Sequence, residues 1–190
     1  MRKELTRAIF FDRDGTLNKD AGYVHSWEEW QWLSGAPEAL ALLGRHGYRL
    51  VVATNQSGLA RGLYSDADVR RLHRQINKDL LRYRTGITAF YYCPHHPDFT
   101  GPCTCRKPQP GMLLRAAAEL GIDLGQSWMI GDKIADVQAG LNAGCRPVLV
   151  RTGYGREAEQ RLSADVPTEN DLAAAAAYIL RCGAKRTVTR

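Results

Sequence analysis

Residues 8–17 read AIFFDRDGTL, in which the apolar run Ala8–Phe11 gives way to two aspartates, Asp12 and Asp14, and a glycine. An apolar run this short predicts a buried strand. Both carboxylates then lie at the carboxyl end of that strand, where open α/β sheets bind their ligands. Two acids so close together repel each other unless a cation intervenes, and Mg²⁺ prefers carboxylate and phosphate oxygens. The stretch therefore indicates a magnesium site, although Asp and Gly are also ordinary turn residues.

The composition limits the class of protein. A chain of 190 residues has an ordinary size for one domain, and we expect a single domain over residues 1–190. No cleavable apolar region precedes the first strand and no run is long enough to cross a membrane, so we expect a cytoplasmic location. The net charge of +6 favours anionic partners such as phosphorylated metabolites, nucleic acid or a membrane surface.

Helix and strand patterns alternate along the chain after the first strand. The predicted elements are a helix over 36–43, a strand over 48–54, a helix from 65 to about 83, a strand over 87–92, a helix over about 111–120, a strand over 128–132, a helix over about 134–141 and a strand over 147–150. Such βα steps predict an α/β fold with a parallel sheet and helices on both faces. The short connections predict no second domain over the strand ends.

Polar residues follow four of these segments and supply what phosphoryl transfer needs. They are Asp12 and Asp14, then Thr54 and Asn55, then Lys107, then Asp132 and Lys133. A carboxylate nucleophile divides hydrolysis into two easier steps, and a second carboxyl group can protonate the leaving oxygen and then activate water. A hydroxyl, a lysine and a metal stabilise the anionic transition state. Asp136, one helical turn beyond Asp132, either faces this site or only adds negative charge to a helix N-terminus.

These motifs, in this order over residues 8–136, resemble those of the haloacid dehalogenase-like (HAD) superfamily of phosphatases. The resemblance implies a Rossmann-like parallel sheet that carries the active site at its carboxyl edge. It also implies individual roles: Asp12 as nucleophile, Asp14 as general acid and base, Thr54 and Lys107 as phosphoryl ligands, Mg²⁺ bound by Asp12, Asp132 and the backbone carbonyl of Asp14, and Lys133 as the cation that neutralises the acids.

A second constellation of metal-binding residues follows the third predicted strand. Three of the five cysteines fall within residues 93–105, and without a secretion signal such a cluster suggests metal rather than disulfides. The candidate ligands are Cys93, His95, Cys103 and Cys105. Four such ligands can close a tetrahedral structural Zn²⁺ site, with His96 as a substitute for His95 and clustered reduced thiols as the alternative. Because this zinc loop ends directly at Arg106 and Lys107, we expect zinc to support the active site without joining its chemistry.

Within the superfamily, the chain is similar to the heptose-bisphosphate phosphatases, small enzymes that lack a cap domain and carry a structural zinc. The similarity rests on residues 20–25, 54–58, 91–97, 103–108 and 131–133. It implies removal of the C7 phosphate of D-glycero-D-manno-heptose 1,7-bisphosphate, in the synthesis of nucleotide-activated heptose for lipopolysaccharide. It implies that Arg106 recognises the substrate at its C1 phosphate and that these residues line the sugar pocket: Asp20, Ala21, Gly22, Tyr23, Thr54, Asn55, Gln56 and Ser57.

Three other functions are compatible with parts of the sequence. A histidinol-phosphate phosphatase shares the motifs, but its cationic substrate is at odds with the positive charges of Arg106 and Lys133. A nucleic-acid 3′-phosphatase would need a basic stripe with stacking aromatics, whereas the tryptophans of residues 27–32 lie among acids. A zinc-stabilised binding module would not need the full catalytic set. We therefore expect a phosphorylated sugar substrate, a monomer, and neither nucleic acid nor membrane as partner.

Overall fold

The computed structural model describes residues 5–162 and 165–187, and it has the predicted α/β architecture. Within these residues, one sheet contains six parallel strands: β1 (Ala8–Phe11), β2 (Arg49–Asn55), β3 (Ala89–Cys93), β4 (Trp128–Gly131), β5 (Arg146–Val150) and β6 (Thr168–Glu169). The helices are α1 (Ala36–Arg45), α2 (Asp66–Leu80), α3 (Pro97–Thr100), α4 (Gly111–Leu120), α5 (Ile134–Ala143), α6 (Gly155–Glu159) and α7 (Leu172–Thr187). The spatial order of the strands is β3-β2-β1-β4-β5-β6.

The central strands are largely apolar because both faces of the sheet are buried. In β1, Ile9 and Phe11 point to a core shared with α1, α2 and α7. Ala8 and Phe10 point to the opposite core, which α4 and α5 cover. This alternation is the two-residue period of a strand, and burial on both sides is typical of parallel sheets.

Most predicted boundaries agree with the structure to within two residues. The helix α2 begins with a capping box, since the Ser65 hydroxyl accepts from the Asp68 N–H and the Asp68 carboxylate accepts from the Ser65 N–H at 2.9 Å. The third strand begins at Ala89 rather than at Ile87, because the side chain of Asn77 hydrogen-bonds the backbone of Ile87. Asn77 Oδ1 accepts from the Ile87 N–H at 2.7 Å, and Asn77 Nδ2 donates to the Ile87 carbonyl at 3.0 Å. Three short elements, α3, α6 and β6, were not predicted.

The strand order places the site at the carboxyl end of β1. The order reverses at β1, which pairs with β2 on one side and with β4 on the other. Such a switch point opens a crevice beyond the carboxyl ends of the strands. The connections over residues 12–35 and 56–65 contain no helix or strand, so neither adds a cap domain over this crevice. No helix of the described residues is long and apolar enough to cross a membrane.

Candidate active site

A buried chain of opposite charges lies at the centre of the crevice. The Lys107 ammonium is 2.8 Å from Asp12 Oδ1 and 2.6 Å from Asp136 Oδ1, and all three side chains are almost fully buried. Burial opposes ionisation of Asp12, but the charges of Lys107 and Lys133 outweigh burial and hold the pKa of this carboxyl below its ordinary value. Asp12 is therefore a carboxylate, the form that a nucleophile needs. The Lys107–Asp136 contact was not predicted, since it joins residues on separate elements.

Asp132, directly after β4, has a carboxylate that the protein satisfies on one side only. Its Oδ2 accepts from the Tyr154 N–H at 2.9 Å, whereas its buried Oδ1 has no partner among the described residues. Burial, and after it the charge of Asp12, raises the pKa of Asp132 to about 7. Oxygens of Asp12, Asp132 and Asp136 all lie within 4.8 Å of one another. An unpartnered oxygen among three buried acids fits a divalent cation, which would compensate their repulsion.

Two glycines make room for the Asp132 carboxylate. Gly15 and Gly153 both have positive φ values, 88° and 54°, and a Cβ on either residue would collide with Asp132 Oδ2. The Thr152 hydroxyl donates to the Gly15 carbonyl at 2.7 Å and ties the two loops together. The glycine of the first motif is therefore required both by its backbone conformation and by close packing against the acid.

The Asp14 carboxylate is surrounded by hydrogen-bond donors. Arg13 Nη2 lies 2.9 Å from Asp14 Oδ2, Asn18 Nδ2 donates to Asp14 Oδ1 at 2.9 Å, and Gln56 Nε2 donates to Asp14 Oδ2 at 3.2 Å. The Arg13 side chain is fully buried and also donates to the Val24 carbonyl. This carboxylate, two residues from Asp12, is thus held in one orientation and remains partly open to solvent.

The side chains at the carboxyl end of β2 and just after it turn mostly toward protein partners. Thr54 is buried, and its hydroxyl accepts from Gln56 Nε2 at 2.9 Å. The Asn55 side chain exchanges two hydrogen bonds with the backbone of Lys107, at 3.1 and 3.2 Å. Ser57 is half-buried. The structure thus brings Thr54 to the crevice, whereas the amides of Asn55 and Gln56 bind neighbouring side chains and backbone.

The segment of residues 20–23 forms one wall of the crevice. Asp20 accepts from Lys133 Nζ at 3.2 Å and from the Gly22 N–H at 3.1 Å. Burial lowers the pKa of Lys133, but the charges of Asp12, Asp132 and Asp20 outweigh burial and raise it. Lys133 therefore links this wall to the acids. Ala21 and Tyr23 are exposed beside it, and Tyr23 has a φ of 54°.

His25 and the tryptophans near it serve packing. The His25 ring stacks on Tyr64 at 5.0 Å, and its Nδ1 lies 3.0 Å from the Tyr23 carbonyl. Trp30 is in the core, and Trp32 donates its indole N–H to Asp79 at 2.8 Å. Trp27 is also partly buried against the same core, so the three tryptophans pack within the protein and do not form a stacking surface.

The four predicted zinc ligands converge beyond the end of β3. The three Sγ–Sγ distances among Cys93, Cys103 and Cys105 are 3.2, 3.6 and 3.6 Å. His95 Nδ1 lies 3.3 Å from Cys105 Sγ and 3.7 Å from Cys93 Sγ. A tetrahedral zinc with Zn–S bonds of about 2.3 Å separates two sulfurs by about 3.8 Å, so the set has nearly the dimensions of a zinc site. His96 lies outside it, since its Nδ1 instead accepts from the Asp98 N–H.

The cysteine cluster and the acidic site are joined by two consecutive residues. Arg106 Nη1 donates to the His95 carbonyl at 3.1 Å, so the Arg106 side chain lies against the cysteine loop. Lys107, the next residue, reaches Asp12. The loop also rests on α4, because the Gly111 N–H donates to the Thr104 carbonyl at 3.0 Å. The position of Lys107 therefore depends on the shape of the cysteine loop.

Comparisons with known proteins agree with this geometry. A family model described as HAD-hydrolase-like matches residues 104–176. The D-glycero-beta-D-manno-heptose-1,7-bisphosphate 7-phosphatase of Photorhabdus laumondii is 46% identical over 87% of this chain and 92% of that protein. The chain belongs to the HAD-like heptose-bisphosphate phosphatases. The enzyme of the same name from Escherichia coli K12 is 44% identical over 83% of this chain and 86% of its own.

A solved structure shares the whole fold with this member of the heptose-bisphosphate phosphatases. It is the D,D-heptose 1,7-bisphosphate phosphatase of B. bronchiseptica, complexed with magnesium and phosphate. The TM-score is 0.86 at 39% identity, and the match covers 92% of this chain and 98% of the other. The predictions of a phosphatase and of a HAD-like parallel sheet are confirmed.

Proposed function

We propose that this chain removes the C7 phosphate of D-glycero-β-D-manno-heptose 1,7-bisphosphate, in the synthesis of nucleotide-activated heptose for the lipopolysaccharide core. The observation that carries the proposal is the buried Asp12–Lys107–Asp136 chain beside Asp132, at the switch point of the sheet. The substrate and its β configuration follow from the names of relatives that are 44–46% identical.

The same proposal assigns Mg²⁺ to the carboxylates of Asp12 and Asp132 and the backbone carbonyl of Asp14. The unpartnered Oδ1 of Asp132 and the three clustered carboxylates support this assignment. When bound, Mg²⁺ offsets the negative charge of the phosphoryl group and of the acids. Asp136 remains paired with Lys107 and fixes the ammonium in place.

In the first chemical step, a carboxylate oxygen of Asp12 attacks the phosphorus of the C7 phosphate. The bond between phosphorus and the C7 oxygen breaks, and the carboxyl group of Asp14 gives its proton to that leaving oxygen. Lys107 and the hydroxyl of Thr54 bind the phosphoryl oxygens as charge develops on them. The products are the sugar with a free C7 hydroxyl and an aspartyl-phosphate on Asp12.

In the second step, Asp14 is a carboxylate and takes a proton from an attacking water. The water oxygen bonds to phosphorus, and the bond from phosphorus to the Asp12 oxygen breaks. Inorganic phosphate leaves, Asp12 is a carboxylate again, and Asp14 again carries its proton. The donors around Asp14 support this role, because they hold its side chain at one position.

We assign Arg106 to recognition of the C1 phosphate. The wall of the sugar pocket would be formed by Lys133 together with residues Asp20 to Tyr23 and Thr54 to Ser57. A guanidinium can bind two phosphate oxygens at once. The Arg106 contact with the His95 carbonyl supports a fixed position for this side chain beside Lys107.

We further assign a structural Zn²⁺ to Cys93, His95, Cys103 and Cys105, and we place the enzyme in the cytoplasm as a monomer. The dimensions of the cluster support the zinc assignment. All five cysteines are free of disulfides, as is usual in a reducing compartment. Light scattering after gel filtration tests the monomer, and cell fractionation tests the location.

A phosphate-release screen tests the proposed function. The substrates are the α and β anomers of the heptose bisphosphate, fructose 1,6-bisphosphate and histidinol phosphate, each with Mg²⁺ and with a chelator. We expect metal-dependent release that is fastest with the β anomer. Preference for histidinol phosphate would replace the substrate assignment, and release from none of these esters would refute the proposal.

A further inference from the structure

The side chain of Gln56 is a buried node between two groups that the proposed chemistry uses. Only 2% of the residue is exposed. Its Nε2 donates to Asp14 Oδ2 at 3.2 Å and to Thr54 Oγ1 at 2.9 Å. Its Oε1 accepts from the Tyr64 hydroxyl at 2.7 Å and from Arg13 Nη2 at 3.2 Å. A side-chain amide has two donor hydrogens and two acceptor lone pairs, so these contacts use its full capacity.

The neighbours of Gln56 also decide which way its amide points. A guanidinium can only donate hydrogen bonds, so the oxygen of the amide must face Arg13. Nε2 is then directed toward Asp14 and Thr54. Reversal of the amide would turn NH₂ against a buried cation and an oxygen against a carboxylate, and both contacts are repulsive. The orientation of Gln56 therefore follows from chemistry as well as from geometry.

This arrangement has consequences for both catalytic neighbours. Because Nε2 occupies a lone pair of Thr54 Oγ1, the hydroxyl hydrogen of Thr54 is free to point at a phosphoryl oxygen. The bond to Oδ2 fixes the Asp14 carboxyl relative to that hydroxyl. One amide thus sets the distance between the group that binds the phosphoryl oxygen and the group that exchanges protons with the leaving oxygen.

We propose that Gln56 is a positioning residue, which orients Asp14 for proton transfer and Thr54 for phosphoryl binding. This inference rests on the proposed function, since it presupposes phosphoryl transfer with Asp14 as the acid. It adds this role to the proposed place of Gln56 in the wall of the sugar pocket, and it makes Arg13 and Tyr64 the supports of the amide.

The test is the dependence of kcat/KM on the leaving group, measured on the Mg²⁺- and Zn²⁺-loaded enzyme. The substrates are aryl and simple alkyl phosphates that lack a sugar, from 4-nitrophenyl phosphate to ethyl phosphate. Since kcat/KM covers the steps up to the aspartyl-phosphate, only poor leaving groups need the proton of Asp14. We expect Gln56→Met to lower kcat/KM about a hundredfold for ethyl phosphate but tenfold or less for 4-nitrophenyl phosphate. The leaving-group dependence then becomes steeper, as it should in Asp14→Asn.

Two further variants make the result decisive. Gln56→Glu keeps the shape and the acceptor for Arg13 but replaces the donor nitrogen, so it should steepen the dependence even if Gln56→Met does not fold. Asn77→Leu removes another side-chain amide, which binds the backbone of Ile87 just before the amino end of β3, away from the carboxyl edge of the sheet. It should change thermal stability but not the leaving-group dependence.

Three outcomes would count against the inference. A folded Gln56 variant with wild-type leaving-group dependence overturns it. A loss confined to the heptose bisphosphate, with the simple esters unchanged, would make Gln56 a sugar contact and overturn it as well. A wild-type enzyme that releases phosphate from neither the heptose bisphosphate nor any ester of the series would refute the proposed function, and this inference with it.

Discussion

The two regions to which we assign metals are built in opposite ways. The acidic site, formed by Asp12, Asp132, Asp136 and Lys107, lies at buried strand ends that two hydrophobic cores fix. The cysteine loop, residues 93–105, contains one helix of four residues, and Cys103 and Cys105 are only partly buried. The sheet therefore forms the first site before any ion binds, whereas the second segment has little apolar packing of its own.

The difference indicates what each metal contributes. A cation at the acidic site offsets charges that the fold has already brought together, so its contribution is to chemistry. Zinc at the cysteine loop would bring four side chains together and contribute to folding. The two regions meet at Arg106 and Lys107, so disorder in the loop should reach the acidic site through these residues.

Replacement of the nucleophile should have the largest effect and should leave the fold intact. Asp12→Asn keeps the shape of the side chain, and Lys107 retains its contact with Asp136. An amide is a far poorer nucleophile than a carboxylate, so we expect turnover to be abolished and the melting temperature to change little. Phosphate release, acid-quench detection of phosphoenzyme and calorimetry measure this outcome. Turnover at the wild-type rate would refute the aspartyl-phosphate mechanism.

Loss of a zinc ligand should have the next largest effect. In contrast to Asp12→Asn, it should disturb the structure, and activity should fall as a consequence. Purified enzyme should contain about one zinc per chain, and Cys103→Ala should lower this content. Residues 93–107 should become sensitive to protease, and activity should fall about a hundredfold as Lys107 is misplaced.

The matched control for the zinc ligand is Cys145→Ala. Cys145 is buried in the core and lies outside the cluster, so its loss should cost some stability but neither zinc nor the protease resistance of the loop. Metal analysis that finds no zinc in active, unchelated enzyme would contradict the structural-zinc assignment.

The two residues at the junction of the regions should differ in which substrates they affect. If Arg106 binds the C1 phosphate as proposed, Arg106→Ala should remove a charge-assisted contact worth roughly 1.5–3 kcal/mol and lower kcat/KM on the bisphosphate about ten- to a hundredfold. A simple monophosphate should be much less affected. Lys107→Ala should impair both substrates, because Lys107 contacts the nucleophile. Equal losses for Arg106→Ala on both substrates would place Arg106 at the reaction centre.

The sequence predicts the acidic site well because the signals there are local. An apolar run followed by an acid marks a buried strand and its end, as at Asp12 and Asp132, and parallel pairing then brings such ends together. The cysteine loop was predictable for a similar reason, since its ligands lie within thirteen residues and their chemistry is specific.

Contacts between distant side chains were not predictable in this way. The Lys107–Asp136 pair and the Gln56–Asp14 bond join residues 29 and 42 positions apart, and no local pattern reports them. The family resemblance implied that Asn55 and Gln56 line the sugar pocket, and that assignment stays a prediction. In the structure, both side-chain amides also form hydrogen bonds with protein groups, which the resemblance did not imply.

Asn55→Ala should have the smallest effect and tests how the two regions communicate. The Asn55 amide joins β2 to the backbone of Lys107 through two hydrogen bonds. Neutral bonds of this kind contribute about 0.5–1.5 kcal/mol each, so their loss should let Lys107 shift and lower kcat/KM about tenfold. Because the variant keeps all the proposed metal ligands, zinc content should not change. The value of kcat/KM should fall by the same factor for mono- and bisphosphates. If kcat/KM falls only for the bisphosphate, Asn55 contacts the sugar or its second phosphate. Its two hydrogen bonds to the Lys107 backbone would then not be needed to hold Lys107 in place.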